Sequence, residues 1–226
     1  MEALELGFID FSFKVVIPRL LEGMTVTLKL SLMSGFFGFF IGLILVFLRI
    51  NKNPIISFPA KIYVNLFRGT PLLLQILFIY FALPTLINIT LDSYPAGVLA
   101  LSLNAGAYLC EIFRAGIESI PKGQFEAARA LGLSHTKTMF KVIIPQTYRR
   151  IIPPVVNEFS SLTKETSLVS VISLSELLYV TQRIGAKFLR PWEVYFWAAM
   201  GYLIIVLILS YIASMLEKKL LQKGGV

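Results

Sequence analysis

The chain has 226 residues, of which 56% are hydrophobic and only 15% charged, with a mean hydropathy of +0.76. Soluble domains carry about a quarter charged residues, and the apolar runs here are too long for one small water-facing core, so lipid is the expected solvent. The net charge of +8 comes without a basic stripe interleaved with aromatics, which excludes nucleic acid as a partner.

In a membrane chain such cations gather in cytoplasmic loops and beside anionic headgroups. A single cysteine, Cys110, excludes an intrachain disulfide, and a single histidine, His135, leaves no material for a zinc cluster or a Ser-His-Asp triad. The N-terminal segment carries Glu2, Glu5 and Asp10 before its first cation, Lys14. A cleavable signal needs a basic leader, so the first span is expected to stay as an anchor.

Five spans are expected in chain order, at about 24–49, 59–83, 94–116, 143–163 and 193–217, forming one membrane domain over 1–226. In the first, Gly35, Gly38 and Gly42 recur at helical spacing and would let another helix approach closely. The second is interrupted at Arg68-Gly69-Thr70-Pro71, where Thr70 suits an N-cap and Pro71 a first helical residue, so a new helix should begin there. Between spans three and four lies a charged stretch from Glu118 to Lys141. Within it Gln124–Leu131 reads as a short helix opened by Pro121 and closed by Gly132, about 122–133 overall. Phe125, Ala128 and Leu131 share its three-residue spacing. Span four contains Pro153-Pro154, expected to kink it and free backbone carbonyls. After it, the apolar run 167–180 makes only about 21 Å of helix, too short to cross, and is read as a short membrane-embedded helix.

Charge sets the orientation. Arg49 and Lys52 follow span one, and Lys122, Arg129, Lys137, Lys141, Arg149 and Arg150 follow span three, whereas the loop after span two has Asp92 and no cation. The basic tail holds Lys218, Lys219 and Lys223 beside Glu217. The positive-inside bias therefore puts the N-terminus outside and the C-terminus in the cytoplasm. Arg183, Lys187 and Arg190 fit poorly, because this topology puts them outside.

Polar residues at membrane depth are costly and are functional candidates first. Glu158 lies roughly 20 Å of helical rise beyond Pro145, with Asn157 beside it; Asn104 sits mid-way along span three and Gln75 in the second half of span two. The start of the second half-helix, Thr70–Leu72, offers unpaired backbone N–H groups and the positive dipole end, which suit a carboxylate. A substrate whose α-carboxylate lies near Thr70, Pro71 and Leu72 and whose cationic end faces Glu158 would use both features. Glu158 paired internally, with Lys164 or a backbone donor, is the alternative. Glu111 and Arg114 are expected to pair at i,i+3, and Trp192 and Trp197 to anchor the last span at the interface.

The cytoplasmic stretch reads Glu126-Ala127-Ala128-Arg129-Ala130-Leu131-Gly132 and resumes at Val142-Ile143-Ile144-Pro145. This pattern resembles the "EAA" loop of ABC importer permeases, with valine and isoleucine standing where isoleucine and leucine are usual. Phe67-Arg68-Gly69-Thr70-Pro71-Leu72-Leu73-Leu74-Gln75 and the segment 104–118 are similar to the polar amino-acid branch, the carriers of histidine, glutamine, glutamate, arginine and opines. The resemblance covers nearly the whole chain. It implies an all-α, MetI-like type I importer fold whose coupling helix, carrying Glu126, Ala127, Ala128, Arg129, Leu131 and Gly132, seats in an ATPase subunit. It further implies a second permease copy, in a homo- or heterodimer, together with two ATP-binding cassette subunits and an external solute-binding protein. No Gly-x-x-x-x-Gly-Lys-Ser/Thr loop is present, so ATP and magnesium are expected on the partner ATPases and no catalysis or cofactor in this chain. Glu158 tilts the expected cargo toward arginine, lysine or histidine, since burying like charges costs several kcal/mol.

Overall fold

The computed structural model describes residues 7–222, with the side chains of 213, 216, 217 and 219–222 left aside. Glu2, Glu5 and Lys223 lie outside the described residues, as do the side chains of Glu217 and Lys219. The described chain is helical throughout. Helix α1 (Phe8–Arg49) starts sixteen residues before the expected first span; a π-turn at Ser12–Val16 leads into Pro18. Helices α2 (Pro54–Gly69) and α3 (Leu72–Ile87) meet at the break with a bend of 107°. Helix α4 is Ser93–Glu118 and α5 is Lys122–Ala130. Helix α6 (Ile144–Glu165) follows a short turn at His135–Thr138 and a π-turn at Met139–Ile143. Helix α7 is Leu177–Phe188 and α8 is Pro191–Gln222.

By length and composition α1, α4 and α8 are able to cross a membrane, and the bent α2–α3 pair together makes a fourth such element. Helix α6 does not qualify on apolarity because it has two faces. It buries Thr147, Ser160, Leu162 and Thr163 and exposes Pro145, Arg149, Arg150, Pro153, Pro154, Asn157 and Lys164. Both prolines lie inside one unbroken helix; they free the carbonyls of Arg149 and Arg150 without ending it.

The short helix expected over 167–180 is present as two pieces. A 3-10 turn at Thr166–Ile172 ends at Ser173, whose φ of 61° is left-handed, and α7 begins at Leu177. Glu176, fully buried, sets that second start. Its carboxylate accepts from the backbone N–H of Leu178 (2.9 Å) and Tyr179 (2.6 Å) and from the Tyr202 hydroxyl on α8 (2.7 Å). Leu177 N–H donates to Thr27 on α1 at 3.2 Å. An N-cap stronger than the pull toward a continuous helix divides the run and fastens α7 to both α1 and α8.

The centre of the molecule is the α1–α4 pair. A Cβ on Gly38 would stand 2.9 Å from the Ala105 Cβ, and one on Gly42 would stand 2.8 Å from the Leu109 Cβ and 3.2 Å from the Cys110 nitrogen. The stripe thus works as expected, by letting two backbones meet where lipid supplies no hydrophobic drive between helices. Gly35 differs: it faces the Phe159 ring of α6 rather than α4. Trp197 also has a partner within the chain. Its indole N–H donates to Ser12 at 2.8 Å and ties α8 to α1, whereas Trp192 is 73% exposed.

Candidate functional site: a broken helix beside a polar face

Thr70 closes α2 rather than opening α3. Its hydroxyl donates to the Leu66 carbonyl at 2.8 Å, and Pro71, in an extended conformation, occupies the N-cap of α3. Leu74 and Gln75 N–H both return to the Pro71 carbonyl, while the N–H groups of Leu72 and Leu73 begin the helix without a helical acceptor, as every helix start does.

Gln75 and Asn104 come together, but across the break and not in an open cavity. The Gln75 amide nitrogen donates to the Phe67 carbonyl (2.8 Å), the Thr70 carbonyl (3.1 Å) and the Thr70 hydroxyl (2.9 Å). Asn104, on α4, donates to Gln75 Oε1 at 3.0 Å and to the Phe67 carbonyl at 3.3 Å. Both side chains are buried. Carbonyls that lose their helical donors at the 107° bend are satisfied by these two amides, which is what a break inside a membrane requires. The adjoining groove, of about 420 Å³, is otherwise apolar, lined by Leu66, Phe67, Leu74, Phe78, Ile79, Leu83 and Leu103. Asn104→Leu leaves the Gln75 carbonyl without its donor and the Phe67 carbonyl with the Gln75 amide alone. We expect it to lower stability by about 1–3 kcal/mol, read as a fall in the thermal midpoint of the purified protein, with Asn104→Gln recovering part of it.

Glu158 stands apart from this latch. It is half-buried on α6, with exposed Asn157 next to it. Among the described residues it forms no hydrogen bond or ion pair, and Lys164 is not its partner, although Arg68 and Glu165 are near enough to act on it electrostatically. Arg68, the last cation of α2, lies 5.3 Å from the Tyr108 ring centroid and 3.4 Å from Glu111. Glu111 is a hub that sequence reading saw only in part. Besides Arg114 (2.9 Å) it holds Arg49 at the end of α1 (2.8 Å) as well as Arg68, joining α1, α2 and α4 through one carboxylate. The i,i+3 spacing exposed the first partner; the others lie far away in sequence and leave no periodic signal. Glu176 was missed too, although an acidic residue just before an apolar helical run is a recognised start signal.

The α5 segment is built as the sequence indicated. Pro121 occupies its N-cap, and Gly132, at φ +74°, takes the left-handed position after it. Leu133 N–H bonds the Ala128 carbonyl and Gly132 N–H the Arg129 carbonyl, the pattern that ends a helix on glycine. Ala128 alone is buried; Phe125 packs on Ile120, Met139 and Ile143. Leu131 does not follow Phe125 and Ala128 inward but stands 83% exposed. Glu126, Ala127, Arg129, Leu131 and Gly132 therefore form an exposed surface held firmly from below, and Gln146 bonds Gln124 at 3.2 Å to steady it against α6.

The residues 38–222 match the family described as the binding-protein-dependent transport system inner membrane component. The chain belongs to this family. It is the permease component of an amino-acid ABC importer, in the polar amino-acid branch. It is 41% identical over 213 residues to the arginine transport system permease protein ArtQ of Bacillus subtilis, covering 94% of this chain and 97% of that one. It is 43% identical to the L-cystine permease TcyB of the same organism, covering 90% and 87%, and 40% identical to the glutamine permease GlnP of Escherichia coli, covering 90% and 94%. Among solved structures it superposes on an amino acid ABC transporter with histidines at a TM-score of 0.88 and 35% identity, covering 95% of this chain and 99% of the other. The MetNI methionine transporter shares the fold at a TM-score of 0.74 and 19% identity, covering 90% and 97%.

Proposed function

We propose that this permease carries cationic amino acids, with arginine, lysine and histidine as cargo, along a path lined by the polar face of α6. The single observation that carries the reading is Glu158, a carboxylate on a helix among membrane spans that has no hydrogen-bond or ion-pair partner among the described residues. A polar face that lipid would not tolerate must border water or another subunit, and one chain of this size cannot enclose a path. Two permease copies facing each other, served by two ATPase subunits and an external solute-binding protein, satisfy both needs. Glu158 and Asn157 would receive the cationic end of the substrate. The backbone at Thr70, Pro71 and Leu72 would receive its α-carboxylate at the start of α3. Gln75 and Asn104 would act beneath that site by fixing the bend.

The proposed orientation keeps the N-terminus outside and the C-terminus in the cytoplasm. Support comes from one end of the molecule, where Lys52, Arg129 and His135 border a groove of about 610 Å³ with Phe47, Phe125 and Phe140. The exposed surface of α5 at that same end would seat in the ATPase. Glutamine is the second reading, favoured by the similarity to GlnP; Glu158 would then hold only the α-amino group. ATPase stimulation of the purified complex by a panel of arginine, lysine, histidine, cystine, glutamine and glutamate separates them. The basic amino acids should stimulate and glutamate should not; stimulation by glutamine alone would replace the first reading with the second.

A further inference from the structure

Three cations on the proposed outer face, Arg19, Arg183 and Lys187, run against the positive-inside bias, and nothing described so far uses them. Helix α7 buries Leu177, Thr181, Ile184 and Gly185, so that Arg183 and Lys187 project from its other side. They border a groove of about 760 Å³ together with Arg19 and Glu22 of α1. No carboxylate pairs with any of the three cations among the described residues. Aromatic rings position them instead: Arg19 and Lys187 lie 5.6 and 5.5 Å from the Phe188 ring centroid, and Arg183 lies 5.9 Å from that of Tyr179. A ring holds a cation in place without neutralising it. The helix dipole accounts for a cation in the last turn, Lys187, but not for Arg183 or for Arg19 on another helix.

We infer that this groove is the docking site for an acidic edge of the external solute-binding protein, so that encounter with the loaded binding protein is steered by Arg19, Arg183 and Lys187. The inference rests on the orientation and partner set proposed above. Two features favour a protein over a lipid headgroup. None of the groove's lining residues is a large exposed hydrophobic side chain, so acyl chains find no floor there. Glu22 on the same rim repels a phosphate but gives a folded partner a site for one of its own cations. Charge complementarity of this kind raises association rates and sets register more than it adds raw affinity, and it weakens as salt rises.

The test uses the complete complex in neutral-lipid proteoliposomes, with its own amino-acid-loaded solute-binding protein as the probe. Arg183→Glu with Lys187→Glu should raise the binding-protein concentration for half-maximal ATPase stimulation on the order of tenfold, leaving the maximum and the unstimulated rate unchanged. The same change should remove most of the wild-type protein's salt dependence. Arg183→Lys should behave as wild type, showing that charge rather than packing is read. An unchanged half-saturation in the double variant overturns the inference. So does a defect that tracks the fraction of anionic lipid and not the concentration of binding protein, which would assign the patch to headgroups. If the wild-type complex shows no stimulation by any binding protein, the proposed function fails and this inference with it.

Discussion

Glu158→Gln is expected to cut arginine uptake by about 10- to 100-fold in the reconstituted complex, the loss that follows from removing one charged hydrogen-bond partner worth about 1.5–3 kcal/mol. Glutamine uptake, measured alongside, should fall much less, because its side chain carries no charge for the carboxylate to hold. The protein itself should be indifferent to the change. Glu158 supports no neighbour among the described residues, in contrast to Glu176, whose oxygens hold two backbone N–H groups and Tyr202. Glu176→Gln should therefore lower yield and thermal stability where Glu158→Gln does not. Initial rates of labelled arginine and glutamine uptake at matched protein levels give the answer. Undiminished arginine transport by Glu158→Gln removes the pairing from the account.

Gly42→Leu should carry the largest effect on the fold. A bare Cβ at this position already meets the Leu109 Cβ at 2.8 Å and two backbone atoms of α4, the Cys110 nitrogen and the Gly106 oxygen, each at 3.2 Å. Side chains can rotate aside, but two helix backbones cannot, so α1 and α4 must separate. Overpacking costs about 1–3 kcal/mol where neighbours adjust and more where backbone forms the wall. Without a hydrophobic drive between helices in lipid, that contact is what holds the pair together. Monodisperse yield and the thermal midpoint in detergent should both collapse. Gly123→Ala, where nothing lies within 4 Å, is the control and should be neutral or slightly stabilising in α5.

The parts that sequence made legible are those governed by local rules. Pro121 and Gly132 bound α5 because one presets a helix start and the other accepts a positive φ. The Gly35, Gly38 and Gly42 stripe announced a close helix contact, though not that Gly35 would receive Phe159 from α6. The break at Arg68–Pro71 was visible from its glycine and proline, but the role of Thr70 was not. Whether a threonine caps the helix before it or the one after depends on which carbonyl its hydroxyl meets. By hydropathy Gln75 and Asn104 are polar residues awaiting a substrate; in the structure each finds the other, 29 positions apart. Longer separations in sequence hid Arg49 and Arg68 behind Glu111. Burial within the chain separates such residues from Glu158, and hydropathy alone cannot.

The most direct test of the central claim is ATP-dependent accumulation. Proteoliposomes holding the complete permease dimer and its ATPase partners, with ATP inside the cytoplasmic compartment and loaded binding protein outside, should concentrate labelled arginine above its external level. Accumulation should stop when ATP or the binding protein is withheld. Flux that merely equilibrates arginine across the membrane without ATP would contradict the account and make the chain a passive path.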